Sequence, residues 1–483
     1  MTAAPRRLPR WEALALAVLA LAAFVGFFVY PTYSNYDSLY SLLWGRELLH
    51  GSLPSFDAYR APTQHPLWVA ISVPLAALGR AGDRILLALC VASFVAMIAG
   101  MYRLGKASFG WIVGAVGALL LLSRLDFPFL AARGYIDIPY LALILWAAAL
   151  EAQRPRRGAV VWVLLTLAGL LRPEAWVLAG LYGIRIAWGR PLREWVRVGA
   201  IMSIAPVIWA LSDLAVTGDP LYSLNYTTES ARQLGRRQSL LELPGVTLRY
   251  LSELTKPPVL IAAIGGIVLA WRMARERMLV PTVLFVWGVG VFLLVSLRGF
   301  SVISRYVLVA AIALMLFAAF AMAGWSRLPR GHRAIRPWAA GALVVVLGGV
   351  AFTALTFNPR YVNRELNLRD SVRRDLTAVL DSSQVRAGRA CGPISVPNHK
   401  LVADVRWLAD ADVHGVVART DPRETARQRR GGVALFVIGG TRFLKHPAFG
   451  PFDQTEDSPI IQVPTAGYDR AKVGRYFSAY VRC

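Results

Sequence analysis

At 483 residues, 56% of them hydrophobic and with a mean hydropathy of +0.48, the chain is too apolar for an ordinary soluble protein. The formal charge of +24 does not mark a nucleic-acid partner, because Lys and Arg fall in short groups between apolar runs and form no single stripe. Those groups read as topology signals, and the sequence describes a multi-pass protein of a bacterial plasma membrane, its Arg- and Ala-rich usage matching a high-GC genome.

The start, MTAAPRRLPRWEALALAVLALAAF, has the basic and apolar regions of a secretory signal. The apolar run from Trp11 to Tyr30 is nevertheless long enough to cross a bilayer at about 1.5 Å per residue, so an uncleaved first helix is expected. Two segments suited to a membrane surface follow. Residues 37–50 put Leu39, Leu42, Leu43 and Leu49 on one face, away from Arg46 and Glu47, and residues 65–78 form a short apolar stretch holding Pro66 and Pro74. Further apolar segments lie at 84–102, 110–123, 136–150, 158–171, 174–188, 198–216, 257–271, 280–297, 306–325 and 338–357. With the first they predict an α-helical polytopic membrane protein of about eleven transmembrane helices.

Alternate connections carry the basic residues. With Arg6, Arg7 and Arg10 inside, the inner loops hold Arg103 and Lys106; Arg154, Arg156 and Arg157; Arg185, Arg190, Arg193 and Arg197; Arg272, Arg275 and Arg277; and Arg327, Arg330, Arg333 and Arg336. Segment 31–83, the loops near 124–135, 217–256 and 298–305, and the tail then lie outside. Hydropathy collapses after Phe357. The expected division is a transmembrane domain at 1–357 and an extracytoplasmic α/β domain at 358–483, with strands in ACGPISV and GGVALFVIGG and a helix in RDSVRRDLTAVLDSS. Cys90 falls in an apolar span as a small buried hydrophobe, whereas Cys391 and Cys483 both fall outside, where a disulfide between them is expected. No zinc, Walker or dinucleotide-binding pattern occurs.

Acids and cations at the outer boundary are the candidates for chemistry, since ionisable groups beside a bilayer are costly unless used or paired. Asp37 follows the first span and Asp137 opens the fourth; each also suits a helix N-terminus. Asp126 competes with Asp137 but lies nearer the preceding span. Arg172, Pro173 and Glu174 interrupt two apolar runs, either as a turn with a dipole-stabilising acid or as ligand contacts. Arg298, Arg305 and Tyr306 sit outside, against the positive-inside tendency, and an arginine there can fork onto a phosphate or anchor in the interface. Arg60 and His65 precede the second surface segment, where His65 can cap a helix or steady a leaving phosphate. In the outer domain His399, Lys400 and Trp407 are expected exposed, as glycan contacts or as packing.

The order of these parts resembles the integral membrane glycosyltransferases of the GT-C fold, which include protein O-mannosyltransferases, lipid A aminoarabinose transferases and actinobacterial cell-envelope transferases. The resemblance is carried by NYD after the first span, RAPTQHPL opening the second surface segment, Ser123 and Arg124 ahead of Asp137 and Pro139, LLRPEAW, and SRYVLVAAIALML, over most of residues 1–325. It implies a glycosyltransferase that moves a sugar from a polyprenyl-phosphate donor to an envelope glycan, glycolipid or protein acceptor. It further implies Asp37 as catalytic base, Asp137 near the acceptor or a divalent cation such as Mg or Mn, and Arg305 on the donor phosphate. The sequence departs from these relatives in having no DxD at Asp37 and RAPTQHP where several carry Lys/Arg-Pro-Pro. The competing class is a multi-span lipid or solute transporter, for which no repeated halves with matching broken helices are visible.

Overall fold

A computed structural model describes residues 9–233, 241–300, 302–356, 358–424, 431–438 and 467–483. Arg6, Arg7, Phe357 and the last two residues of the expected strand GGVALFVIGG lie outside the described residues. In chain order the helices begin with α1 (Arg10–Val29), α2 (Tyr36–Leu49), α3 (Pro66–Ala76), α4 (Gly82–Phe109), α5 (Trp111–Leu122) and α6 (Asp126–Ala132). Next come α7 (Asp137–Gln153), α8 (Ala159–Leu171), α9 (Glu174–Ala187), α10 (Leu192–Thr217), α11 (Tyr222–Gln233), α12 (Leu243–Thr255) and α13 (Pro257–Met273). The remainder are α14 (Leu279–Leu297), α15 (Leu308–Ala323), α16 (Ile335–Thr356), α17 (Pro359–Leu380), α18 (Ser383–Gly388) and α19 (Val402–Leu408).

All eleven apolar segments are helical. Among the described residues six helices are long and apolar enough to cross a membrane, or eight if the bent pairs α5 with α6 (61°) and α12 with α13 (104°) each count as one span. The others fall short by length: α7, α8 and α9 have 17, 13 and 14 residues. Segment 217–256, read from the sequence as a loop, contains the helices α11 and α12.

The chain divides into two compact units. One comprises Met1–Tyr30, Ala88–Leu211 and Thr227–Pro359. Its centre is α15, whose span is 89% buried and whose alanine-rich sequence LVAAIALMLFAAFAMA lets α5, α13 and α14 approach closely. At Gly288 of α14 a Cβ would stand 2.7 Å from the Ala310 nitrogen, so the crossing with α15 requires glycine. The flanking spans α1 and α16 are only 6% buried, as spans facing lipid would be.

The other unit comprises Pro31–Leu87, Ser212–Tyr226 and Arg360–Cys483. Here α2 does not carry its apolar face on its surface. Leu39, Leu42, Leu43 and Trp44 are 0–1% exposed, packed against α3 and α19, and a Cβ at Gly45 would lie 2.6 Å from the Ser72 backbone carbon. The expectation from periodicity was a helix lying on lipid; protein takes the lipid's place because a second apolar helix and the C-terminal lobe supply the same burial. Leu49 alone of the predicted four is exposed. Ion pairs from Arg46 to Asp410 and from Arg406 to Glu47 fasten α2 to the C-terminal lobe.

That lobe holds β1 (Ile394–Val396), β2 (Val416–Ala418), β3 (Gly432–Val437), β4 (Asp469–Val473) and β5 (Phe477–Arg482) in the order β2-β1-β3-β5-β4. β2, β1 and β3 are parallel, and β5 and β4 continue antiparallel. The three parallel strands are buried along their whole length, as strands covered on both faces must be. α17 lays Val372, Leu376, Val379 and Leu380 on this core, and its Asp375 carboxylate accepts the backbone N–H groups of Arg475, Tyr476 and Phe477 at 2.8–3.1 Å. Cys391 and Cys483 form a disulfide with Cα atoms 5.2 Å apart, and Cys90 is free and buried.

Candidate functional site

In the first unit Asp137, Arg172, Glu174, Arg305 and Tyr306 come together. Asp137 is the first residue of α7, after an N-cap, Ile136, that makes no side-chain cap bond. Its carboxylate is completely buried, with one oxygen accepting from Arg172 Nη1 and the other from Arg305 Nη1 at 3.2 Å. Arg172, the residue after α8, also donates from Nη2 to Glu174 Oε1 at 2.8 Å, and Glu174 opens α9. Both acids thus occupy the positive end of a helix dipole. Two carboxylates and two guanidinium groups balance to zero, which is the condition under which such charges tolerate burial.

Aromatic rings wall the cluster. The Arg172 guanidinium lies 5.0 Å from the Tyr306 ring centre and 5.6 Å from that of Tyr140, and Arg305 lies 5.0 Å from that of Tyr135. Arg305 leaves a 3₁₀ turn, Ser304–Val307, and keeps 30% of its side chain exposed against 10% for Arg172. A cavity of ≈ 10 Å³, the room of one water, is lined by Tyr140, Arg172, Glu174, Trp287, Arg305 and Tyr306. Sequence reading missed Tyr140 and Trp287. Tyr140 stands three residues after Asp137 and was legible by helical spacing; Trp287 comes from mid-span of α14, and nothing in its own segment points to the site.

Arg298 is exposed at the C-cap of α14, and Asp126 pairs with Arg124 at 2.6 Å.

In the second unit Asp37 is half-buried and lies in the first turn of α2. The cap is made by Asn35, whose Oδ1 accepts the Ser38 N–H at 2.8 Å, so the capping alternative for Asp37 passes to its neighbour. The adjacent Tyr36 hydroxyl donates to the Arg60 carbonyl at 2.9 Å, and burial raises the pKa of this phenol, keeping it a donor. Arg60 adopts φ +52°, in the left-handed region. His65 occupies the N-cap of α3 without a side-chain cap bond. His399, Lys400 and Trp407, expected exposed, are 5%, 9% and 3% exposed, because the turn after β1 and the helix α19 face inward in this unit.

Among the described residues no group of three or more His, Cys, Asp or Glu could hold a metal ion, and guanidinium groups occupy both oxygens of Asp137.

No protein-family model matches the sequence, and no curated protein matches it. Solved structures do. ArnT from Cupriavidus metallidurans bound to undecaprenyl phosphate aligns with a TM-score of 0.58 at 14% identity over 98% of each chain, and its apo form with 0.57 at 15% over 97% of this chain and 98% of that one. The Archaeoglobus fulgidus oligosaccharyltransferase AglB, in complex with an inhibitory peptide and a dolichol-phosphate, aligns with 0.51 at 12% over 85% of this chain and 64% of that one. Identities this low speak for architecture, and the architecture is common to all three: the chain has the GT-C fold.

Proposed function

We propose that the protein is a glycosyltransferase that moves a sugar from a polyprenyl-phosphate donor to an acceptor on the extracytoplasmic face of the membrane. The observation that carries this reading is Arg305, which bonds Asp137 at 3.2 Å and keeps 30% of its side chain exposed, so that a phosphate can reach it. The fold supports it, since neighbours with this fold were solved bound to undecaprenyl phosphate and in complex with a dolichol-phosphate. The basic inner loops support placing the C-terminal domain outside.

The chemistry asks little of a protein. A glycosyl phosphate carries a good leaving group, so the acceptor oxygen attacks the anomeric carbon, the bond from that carbon to the phosphate oxygen breaks, and its electron pair leaves on the phosphate. In the scheme that the resemblance implies, Asp37 accepts the acceptor's proton, Arg305 stabilises the departing phosphate, and a single displacement inverts the anomeric centre. Asp137 is then a positioning residue for Arg305 and touches no substrate, a change from the direct role implied by the resemblance. No step passes through a metal.

The test is transfer by purified protein from polyprenyl-phosphate mannose, arabinose, glucose and galactose, with linkage analysis of the product. Asp37→Ala is expected to abolish transfer while the protein stays folded; undiminished activity refutes the assignment. Movement of substrate across proteoliposomes with no sugar transferred from any donor would replace it with the transporter reading, for which no structural observation speaks.

A further inference from the structure

In open α/β sheets, ligands settle outside the carboxyl ends of the strands where the strand order reverses, which in this sheet is at β1, between β2 and β3. In the second unit β1 ends at Val396 and continues to Asn398, whose Oδ1 accepts the Lys400 N–H at 3.0 Å and fixes the turn that carries His399. Its parallel neighbour β2 ends at Ala418, followed by Thr420 and Arg423. Segment 56–60 crosses both exits: the Tyr59 hydroxyl donates to the Thr420 carbonyl at 2.9 Å, and the Arg423 guanidinium to the Asp57 carbonyl at 3.5 Å.

His399 meets two tyrosine rings edge-on, Tyr36 at 6.1 Å and Tyr59 at 6.3 Å. The Arg60 guanidinium lies 5.5 Å from the Tyr59 ring centre, on a backbone held in the left-handed region, a strain found where geometry serves function. Tyr222 and Tyr226, stacked at 5.5 Å, add a second aromatic pair, and the Tyr222 hydroxyl reaches the Phe56 carbonyl at 3.5 Å. All four tyrosines are half-buried.

Half-buried tyrosines beside a guanidinium, backed by the buried His399 imidazole, complement one class of small molecule. A sugar ring has an apolar C–H face that stacks on an aromatic ring and hydroxyls that both donate and accept. We propose that this tyrosine and histidine edge is a saccharide subsite that holds the acceptor, so that the acceptor is a glycan or glycolipid and not a bare protein. The assignment to the acceptor rests on the function proposed above, because Tyr36 directly precedes Asp37, the group assigned to the acceptor hydroxyl.

Saturation-transfer NMR on the full-length protein in detergent tests this without turnover, with the methyl glycosides of mannose, glucose, galactose and arabinose as probes and a Ser/Thr-containing peptide as comparison. At least one glycoside is expected to bind, about tenfold more weakly to Tyr59→Leu and His399→Ala, and as in the parent protein to Tyr59→Phe, which keeps the ring. His399→Gln keeps the packing volume and a donor, so its partial retention of binding separates recognition from a folding defect. The subsite is overturned if no glycoside binds the parent protein, if the Leu and Ala variants bind as it does, or if only the peptide binds. Saccharide binding with no transfer from any donor would sink the transferase reading and leave the subsite standing; transfer to the peptide without saccharide binding would do the reverse.

Discussion

The N-termini of α2 and α7 present the same sequence feature, an aspartate opening a helix just outside an apolar run, and the structure gives the two carboxylates opposite surroundings. Asp137 is sealed, both oxygens committed to guanidinium groups that other helices deliver. Asp37 is half-buried, and the helix cap beside it is supplied by Asn35. On the function proposed above, the acid sealed against buried cations positions Arg305, and the half-buried one takes the acceptor's proton. Burial, more than position in the chain, distinguishes the two acids.

Substitution is the direct way to break this contrast. Asp37→Asn, nearly isosteric, is expected to lower kcat by roughly a hundredfold to ten-thousandfold with thermal unfolding unchanged, the loss typical of a general base. Equal losses of activity and stability would show that Asp37 is structural after all. Asp137→Ala should do the converse and destabilise the protein by about 3–5 kcal/mol, since it leaves buried guanidinium charge uncompensated. A thermal midpoint within a degree or so of the parent would contradict the sealed arrangement. Restoring volume and a hydrogen-bond acceptor in Asp137→Asn should recover part of that stability.

How much of this was legible in the sequence depends on the range of the interactions. Hydropathy located every apolar helix, because a 3.6-residue repeat and a bilayer's thickness are local properties. The cluster of Asp137, Arg172 and Arg305 was legible only as three separate candidates, since pairing across 35 and 168 residues leaves no trace in the spacing. The surface-lying reading of α2 failed for a related reason: an amphipathic pattern says that a face is covered and is silent about what covers it. Neither did the polar sequence PNHK announce burial, because Asn398, His399 and Lys400 are drawn inward by the end of a buried strand.

Two smaller effects sharpen the description of the second unit. Gly45→Ala is expected to cost about 1–3 kcal/mol, because the added methyl meets the α3 backbone, which cannot give way as a side chain can; an unchanged unfolding midpoint would mean that α2 and α3 slide freely. The Arg80 guanidinium, 2.9–3.0 Å from Asp381, holds that carboxyl below the usual carboxylate range. A depressed folded pKa stabilises above the unfolded value, about 3.9, and the benefit is lost as pH falls through the folded value. Both side chains are nearly half exposed, so solvent screening limits the contribution to at most about 1 kcal/mol. Asp381→Asn should therefore lower the unfolding midpoint slightly at neutral pH, an effect that fades as the pH falls through the folded value.

The hydrogen bond from Tyr59 to Thr420 spans 361 residues, and the ion pairs that clasp α2 span 364 and 359. At roughly 5–20 residues per second, the ribosome needs about 20–70 s to produce the second half of each such pair. Throughout that interval Leu39, Leu42, Leu43 and Trp44 lack part of their eventual cover. Biogenesis of this chain therefore includes a waiting period in which lipid or a chaperone must shelter an early helix on behalf of a late one.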